Sequence, residues 1–94
     1  MLEEVKKALR VTEKDFDTEI QLLIDAGESD LVTSGVASSN LDKPLVKQAI
    51  ILYCKSLFGF DNADSDKLMQ SYEHIKKKVA ITYHDTIVDE SESE

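Results

Sequence analysis

Residues 44–58 read PLVKQAIILYCKSLF and form the most apolar segment of the sequence. On a helix of 3.6 residues per turn, its apolar side chains cover most of the circumference. One strip is polar, and it consists of Lys47, Gln48 and Lys55. Because a helix that is apolar nearly all round needs cover on several sides, the stretch predicts a helix in the middle of the protein. The helix is expected to start at Pro44 and end at Gly59.

An amphipathic helix is predicted before this stretch. Residues 13–34 place apolar side chains on one stripe and acidic side chains on the opposite side. Thr12 is expected to cap this helix, with Asp15 three residues later in an acidic form of the capping box. Gly27 lies on the apolar stripe and costs about 1 kcal/mol relative to alanine, unless a neighbour packs closely against it. Gly35 is expected to end the helix.

Two further helices complete the predicted fold. A short one covers residues 2–10, and another begins at Asp64 or Ser65 with a buried face of Leu68, Tyr72, Ile75 and Val79. From Ile81 onward, β-branched and aromatic residues predict an extended arm or short strand. The predicted class is therefore all-α, a small bundle of about four helices with a central, largely apolar helix and an extended C-terminal arm.

Acidic residues are concentrated at the end of the chain. The 94 residues include 11 Lys and Arg against 19 Asp and Glu, a net charge of −8. Residues 1–84 contain 14 acidic and 11 basic residues, a net of −3. Residues 85–94 are expected to form a disordered acidic tail. Since DNA binding without sequence preference depends on Lys and Arg at phosphates, this balance argues against a protein that grips nucleic acid.

Several classes of protein are excluded by size and composition. A chain of 10.6 kDa is one small domain, too small for a nucleotide-binding fold. It has no apolar run near the roughly 20 residues of a membrane span. Glu3 and Glu4 stand where a signal peptide needs basic residues. We therefore expect no membrane association and no secretion.

Residues for catalysis or metal binding are not grouped in the sequence. His74 and His84 are ten residues apart, and the single Cys54 lies among apolar residues, where a small buried side chain is expected. The three glycines are isolated, so no phosphate-binding loop is formed. We expect a protein that is not an enzyme and has no cofactor and no metal site.

The candidate functional residues are therefore surface residues. Two are apolar residues on otherwise polar faces, Leu22 and Ile51. An acidic ridge at Asp25 and Glu28 is predicted on the second helix. A basic line on the fourth helix consists of Lys67, His74 and Lys78. Solvated faces account for such residues in many proteins, and contact with a partner is the functional alternative.

The order of these elements resembles a known family. The segments concerned are residues 1–11 (MLEEVKKALRV), 15–20 (DFDTEI), 22–26 (LLIDA), 44–55 (PLVKQAIILYCK), 58–62 (FGFDN) and 71–73 (SYE). Together they are similar to the small head–tail connector proteins of tailed bacteriophages, also called phage DNA-packaging proteins. The resemblance covers about residues 1–84 and implies that this range is a helical head–tail connector domain.

The resemblance implies a structural protein of the virion neck, made in the host cytoplasm. Members form an oligomeric ring between the portal protein and a stopper or tail protein, and they extend the channel through which DNA passes without specific binding. A ring needs two different complementary faces on each copy, and the acidic ridge and basic line are a candidate pair. Tyr83 and Ile87 are candidates for an arm that contacts a neighbouring subunit or the portal.

Two other classes stay open. A small DNA-binding protein, such as a terminase small subunit or a helix-turn-helix regulator, would use the fourth helix to read DNA. Base recognition relies heavily on arginine, and the single arginine is Arg10 in the first helix. A soluble adaptor that binds one host protein and never assembles is the third class.

Overall fold

The computed structural model describes residues 1–59 and 63–84. Its helices are α1 (Leu2–Leu9), α2 (Asp17–Thr33), α3 (Pro44–Leu57) and α4 (Ser65–Thr82), with 3₁₀ turns at Lys14–Phe16 and Ser38–Asn40. In these two ranges no strand is formed, and an isolated antiparallel bridge joins Val36 and His84. The predicted all-α bundle of four helices is confirmed.

Helix α3 lies in the middle of the bundle, as its composition predicts. It packs against α1, α2 and α4. Val46, Ala49, Ile50 and Cys54 of this helix are fully buried, and they meet core residues from all three neighbours. Because α3 is covered on one side by α2 and on another by α4, these two helices turn their opposite faces to solvent.

The predicted start of α3 and the predicted C-terminal ends of α2 and α3 are confirmed. Pro44 occupies the first turn of α3, where its missing amide hydrogen removes no helical hydrogen bond. Gly35 follows the end of α2 with φ 116°, and Gly59 follows that of α3 with φ 91°. Residues with a Cβ rarely adopt such angles, so these two glycines allow the chain to leave each helix.

Gly27 is the point at which α2 and α3 approach closely. A Cβ atom at this position would lie 3.1 Å from Cδ2 of Tyr53 on α3. The Tyr53 ring packs edge-on against Tyr72 of α4, with ring centroids 5.1 Å apart. The missing side chain of Gly27 therefore makes room for an aromatic pair that connects three helices.

Helix α2 begins later than the capping pattern predicts. The helix starts at Asp17 after a 3₁₀ turn, and no side chain caps it. Thr12 instead hydrogen-bonds the side chain of Glu13 at 3.4 Å. Lys6 of α1 pairs with Asp17 at 2.7 Å, and Phe16 packs edge-on against Phe58. The prediction of a Thr12 cap is wrong because these contacts with other elements fix the start of the helix.

Helix α4 continues further than predicted. Ile81 and Thr82 are helical, and the Tyr83 amide donates to the Val79 carbonyl at 2.8 Å to complete the last turn. The prediction of an extended segment from Ile81 is therefore wrong for these residues, because helix contacts override a weak β preference. Ile87 and the predicted acidic tail lie outside the described residues.

The close approach at Gly27 leads to a prediction about stability. Gly27→Leu would force a bulky side chain against Tyr53, and we expect it to lower the free energy of unfolding by about 2 kcal/mol. Ala26→Leu is the matched control, because Ala26 is the exposed neighbour on the same helix and we expect a change within about 0.5 kcal/mol. Urea denaturation followed by circular dichroism measures both. Equal stability of the two variants would contradict this account of Gly27.

Candidate interaction surfaces

The predicted acidic ridge is one wall of a shallow groove on α2. The groove has a volume of about 420 Å³ and is lined by Asp25, Glu28, Ser29, Val32, Thr33 and Leu41. Val32 is 43% exposed although it is apolar. The groove therefore combines two carboxylates with an exposed apolar side chain.

This acidic groove faces away from α4. Asp30 points toward α4, where it contacts Lys76. Glu28 and Val32 are each two residues from Asp30, a rotation of about 200° around a helix. They consequently lie on the opposite side of α2 from the contact with α4.

A second groove extends the acidic surface toward α1. It has a volume of about 320 Å³ and is lined by Met1, Glu4, Glu28, Leu41, Asp42 and Lys47. Lys47 pairs with Glu4 at 3.2 Å, and this hydrogen bond holds the pKa of Glu4 below its usual value. Glu28 and Leu41 line both grooves, so the two form one continuous surface with carboxylates in excess.

The basic line lies along the outer face of α4, as predicted. Lys67, His74 and Lys78 are exposed, and they line two grooves of about 500 and 300 Å³ that meet at His74. Ile81 ends this face and is 77% exposed. No Asp or Glu among the described residues lines either groove. The face is thus a basic surface with one uncovered apolar residue at its end.

A polar cluster that we did not predict connects α2 and α4. The Tyr72 hydroxyl donates a hydrogen bond to Asp30, and Lys76 Nζ lies 3.0 Å from the same carboxylate oxygen. Lys76 also pairs with Glu73 at 3.0 Å. A buried tyrosine signals that its hydroxyl needs a partner, but the sequence alone gives no indication that the partner is 42 residues away.

The pKa values in this cluster follow from its hydrogen bonds. Burial acts to raise the pKa of Asp30, but hydrogen bonds from Tyr72 and Lys76 outweigh it, so the pKa lies below its usual value. Burial raises the pKa of Tyr72, and its bond to Asp30 raises it further. Burial acts to lower the pKa of Lys76, yet Glu73 and Asp30 raise it overall. The cluster therefore favours a charged Asp30 and Lys76 with a neutral Tyr72.

An apolar groove at the other end of the bundle was also missed. Phe16, Leu57, Phe58 and Gly59 line it together with Glu19, and its volume is about 440 Å³. Phe16 and Leu57 are 37% and 46% exposed. No sequence signal joins these residues, because Phe16 reaches Phe58 through the packing of α2 on α3.

The other predicted surface residues differ in how much of each side chain is exposed to solvent. Leu22 is 64% exposed on α2. Ile51 is half-buried and packs against the core, so it has less free surface than its place on the polar strip predicts. Tyr83 also packs on the core, and its carbonyl accepts a hydrogen bond from the Ala37 amide at 2.8 Å. Their role in an interface stays a prediction, as does that of Ile87.

The single cysteine is buried, and metal ligands are not grouped within the described residues. Burial raises the pKa of Cys54 to about 12, so its thiol is inert at neutral pH. Within residues 1–59 and 63–84, no group of three or more His, Cys, Asp or Glu side chains is arranged to hold a metal ion. The helices of the same ranges include none that could cross a membrane.

Comparison with known proteins identifies the family. A family model described as phage connector protein matches residues 1–87, which includes every element described above. This chain belongs to the phage connector protein family. The resemblance to connectors in the sequence is confirmed by this match. Searches of curated proteins and of solved structures returned no match.

The polar cluster of this connector leads to a prediction about pH dependence. The pKa of Asp30 is lowered in the folded protein, so its stabilisation is present above the usual value of about 4 and is lost as the pH falls through the lowered value. We expect Asp30→Asn to lower the free energy of unfolding at pH 7 by about 1 kcal/mol, a modest figure because the carboxylate is partly exposed.

The measurement compares wild type and Asp30→Asn by denaturation at pH 7 and pH 3. The difference in stability between them should narrow at pH 3. Asp25→Asn is the control, since it changes an exposed carboxylate on the same helix whose hydrogen bond is to Gln21. A difference that is equal at both pH values would contradict the role of the charged Asp30.

Proposed function

We propose that this connector is a structural, non-enzymatic protein of the phage neck that forms a ring between the portal protein and the tail or stopper protein. The observation that carries the proposal is the family match over residues 1–87. The ring completes the head after packaging and extends the DNA channel. Its place is the head–tail junction of the virion, and it is made in the host cytoplasm.

Two surfaces of opposite charge support assembly into a ring. A closed ring is built from one repeated contact between two different faces of each copy. The acidic groove of α2 and the basic face of α4 differ in charge, and both carry exposed apolar residues. They lie on helices that cover α3 from different sides, so one copy can contact two neighbours at once.

Charge also supports a channel through which DNA slides. Residues 1–84 have a net charge of −3, so the domain has no excess of Lys and Arg for phosphates. The basic face of α4 is the main concentration of lysines, and it is used between subunits in this proposal. DNA in the channel would then meet a surface that repels it weakly and does not hold it.

The charge pairing leads to a prediction about assembly. Lys67→Glu combined with Lys78→Glu should abolish ring formation, because like charges would face each other across the contact. Both lysines are exposed, so the helical circular dichroism signal should be unchanged. The control is Lys7→Glu combined with Lys14→Glu, which changes the net charge equally on exposed residues elsewhere. Native mass spectrometry with the portal protein present measures assembly.

Normal rings from the Lys67 and Lys78 variant would contradict the charge pairing. Steep, salt-dependent DNA binding by the wild-type protein, lost in the same variant, would instead favour the DNA-binding alternative. In that case the lysines of α4 would contact phosphates.

The segment after α4 is proposed as an arm that contacts a neighbouring subunit or the portal protein. Tyr83, just before this segment, accepts a hydrogen bond from the Ala37 amide. Deletion of residues 85–94, which removes Ile87, should leave helicity and melting temperature almost unchanged and weaken assembly with the portal protein. If the shortened protein assembled at the same concentrations as the wild type, the proposed arm would be contradicted.

A further inference from the structure

Exposed residues form a stripe along the outer side of α2. The α2 stripe consists of Leu22, Asp25, Ser29 and Val32, at intervals of three, four and three residues. This spacing places side chains on one face of a helix, and here that face is directed away from the core. The two ends of the stripe are apolar and exposed, 64% at Leu22 and 43% at Val32. Such a stripe is suited to packing against another helix.

A stripe with the same spacing runs along the outer side of α4. The α4 stripe consists of Ser71, His74, Lys78 and Ile81, again at intervals of three, four and three residues. All four side chains are exposed. Ile81, at 77%, is the most exposed large apolar side chain among the described residues. The two stripes match in length and are opposite in charge, so they are complementary.

Helices α2 and α4 run in the same direction within one copy. Asp30 on α2 contacts Tyr72 and Lys76 in the middle of α4. Further along both helices, Val36 after α2 pairs with His84 after α4. Because later residues of one helix meet later residues of the other, the two helices are parallel.

The direction of the helices decides how two copies can pack in a ring. When the helices run along the ring axis, rotation about that axis preserves their direction. The α4 of one copy then runs parallel to the α2 of its neighbour. An antiparallel contact between the same stripes would instead reverse the direction of the neighbouring copy, which a rotation about that axis cannot do.

We propose that the α4 stripe of one copy packs in parallel on the α2 stripe of the next, with Ile81 seated against Val32. This register places His74 beside Asp25 and Lys78 beside Ser29, next to Glu28. The inference rests on the proposed ring and specifies the contact that builds it.

The acidic groove supports this register over the antiparallel one. Leu41 and Val32 line the groove at the end of α2, where they provide an apolar seat for Ile81. The antiparallel register would place Ile81 on Leu22, which does not line the groove. In the parallel register Ile81 is therefore covered by Val32 and Leu41, whereas in the antiparallel register it would meet Leu22 outside the groove.

Paired cysteines distinguish the two registers. Val32→Cys combined with Ile81→Cys should form disulfides between neighbours in the parallel register, whereas Leu22→Cys combined with Ile81→Cys should not. The native Cys54 gives no background, because its thiol is fully buried. Each copy carries both cysteines on different faces, so mild oxidation of the assembled full-length protein should convert the monomer band into a ladder of covalent oligomers.

The pattern of bands, with the native mass of the unoxidised variants, gives the outcome. A ladder from the Val32 pair and monomers from the Leu22 pair support the proposal. Products from the Leu22 pair alone overturn the register. Monomers from both pairs, when the unoxidised variants are rings, overturn this contact and leave the proposed function intact. A wild-type protein that forms no ring even with the portal protein overturns both.

Discussion

The apolar surface of α3 has to be covered, and the other helices are arranged around it. Its side chains are apolar around most of the helix, and leaving them in water would cost about 25 cal/mol for each Å². The other three helices cover it, and Gly27 allows α2 to approach Tyr53 closely enough to do so. Tyr72 extends this contact from α3 to α2 through Asp30, so one helix fixes the positions of the other three.

This arrangement also determines which surfaces are available for partners. Because the inner faces of α2 and α4 pack on α3, the side chains that do not belong to the core lie on their outer faces. The outer face of α2 has carboxylates around Val32, and that of α4 has lysines and a histidine before Ile81. The proposed ring requires each copy to contact its neighbours through two different faces, and a fold with a covered central helix provides two such faces without enlarging its core.

The fold could be predicted to the extent that each feature depends on neighbouring residues. Local spacing predicted four features that are confirmed: the position of Pro44, the glycines that follow α2 and α3, the burial of Cys54 and the exposure of Lys67. Local spacing did not predict the start of α2, since an ion pair with Lys6 of α1 fixes it.

The same distinction applies to the candidate interaction surfaces: features on a single helix could be predicted, and features that join two elements could not. The acidic ridge and the basic line could be read from helix periodicity, because each lies on a single helix. The partner of Tyr72 and the groove between Phe16 and Phe58 could not be predicted, because each joins two elements that only the folded chain brings together.

The proposed ring is best tested by the native mass of the wild-type protein, measured with and without the portal protein. Our account predicts closed rings on the portal protein, visible by negative-stain electron microscopy, and a protein that stays monomeric in its presence would contradict it.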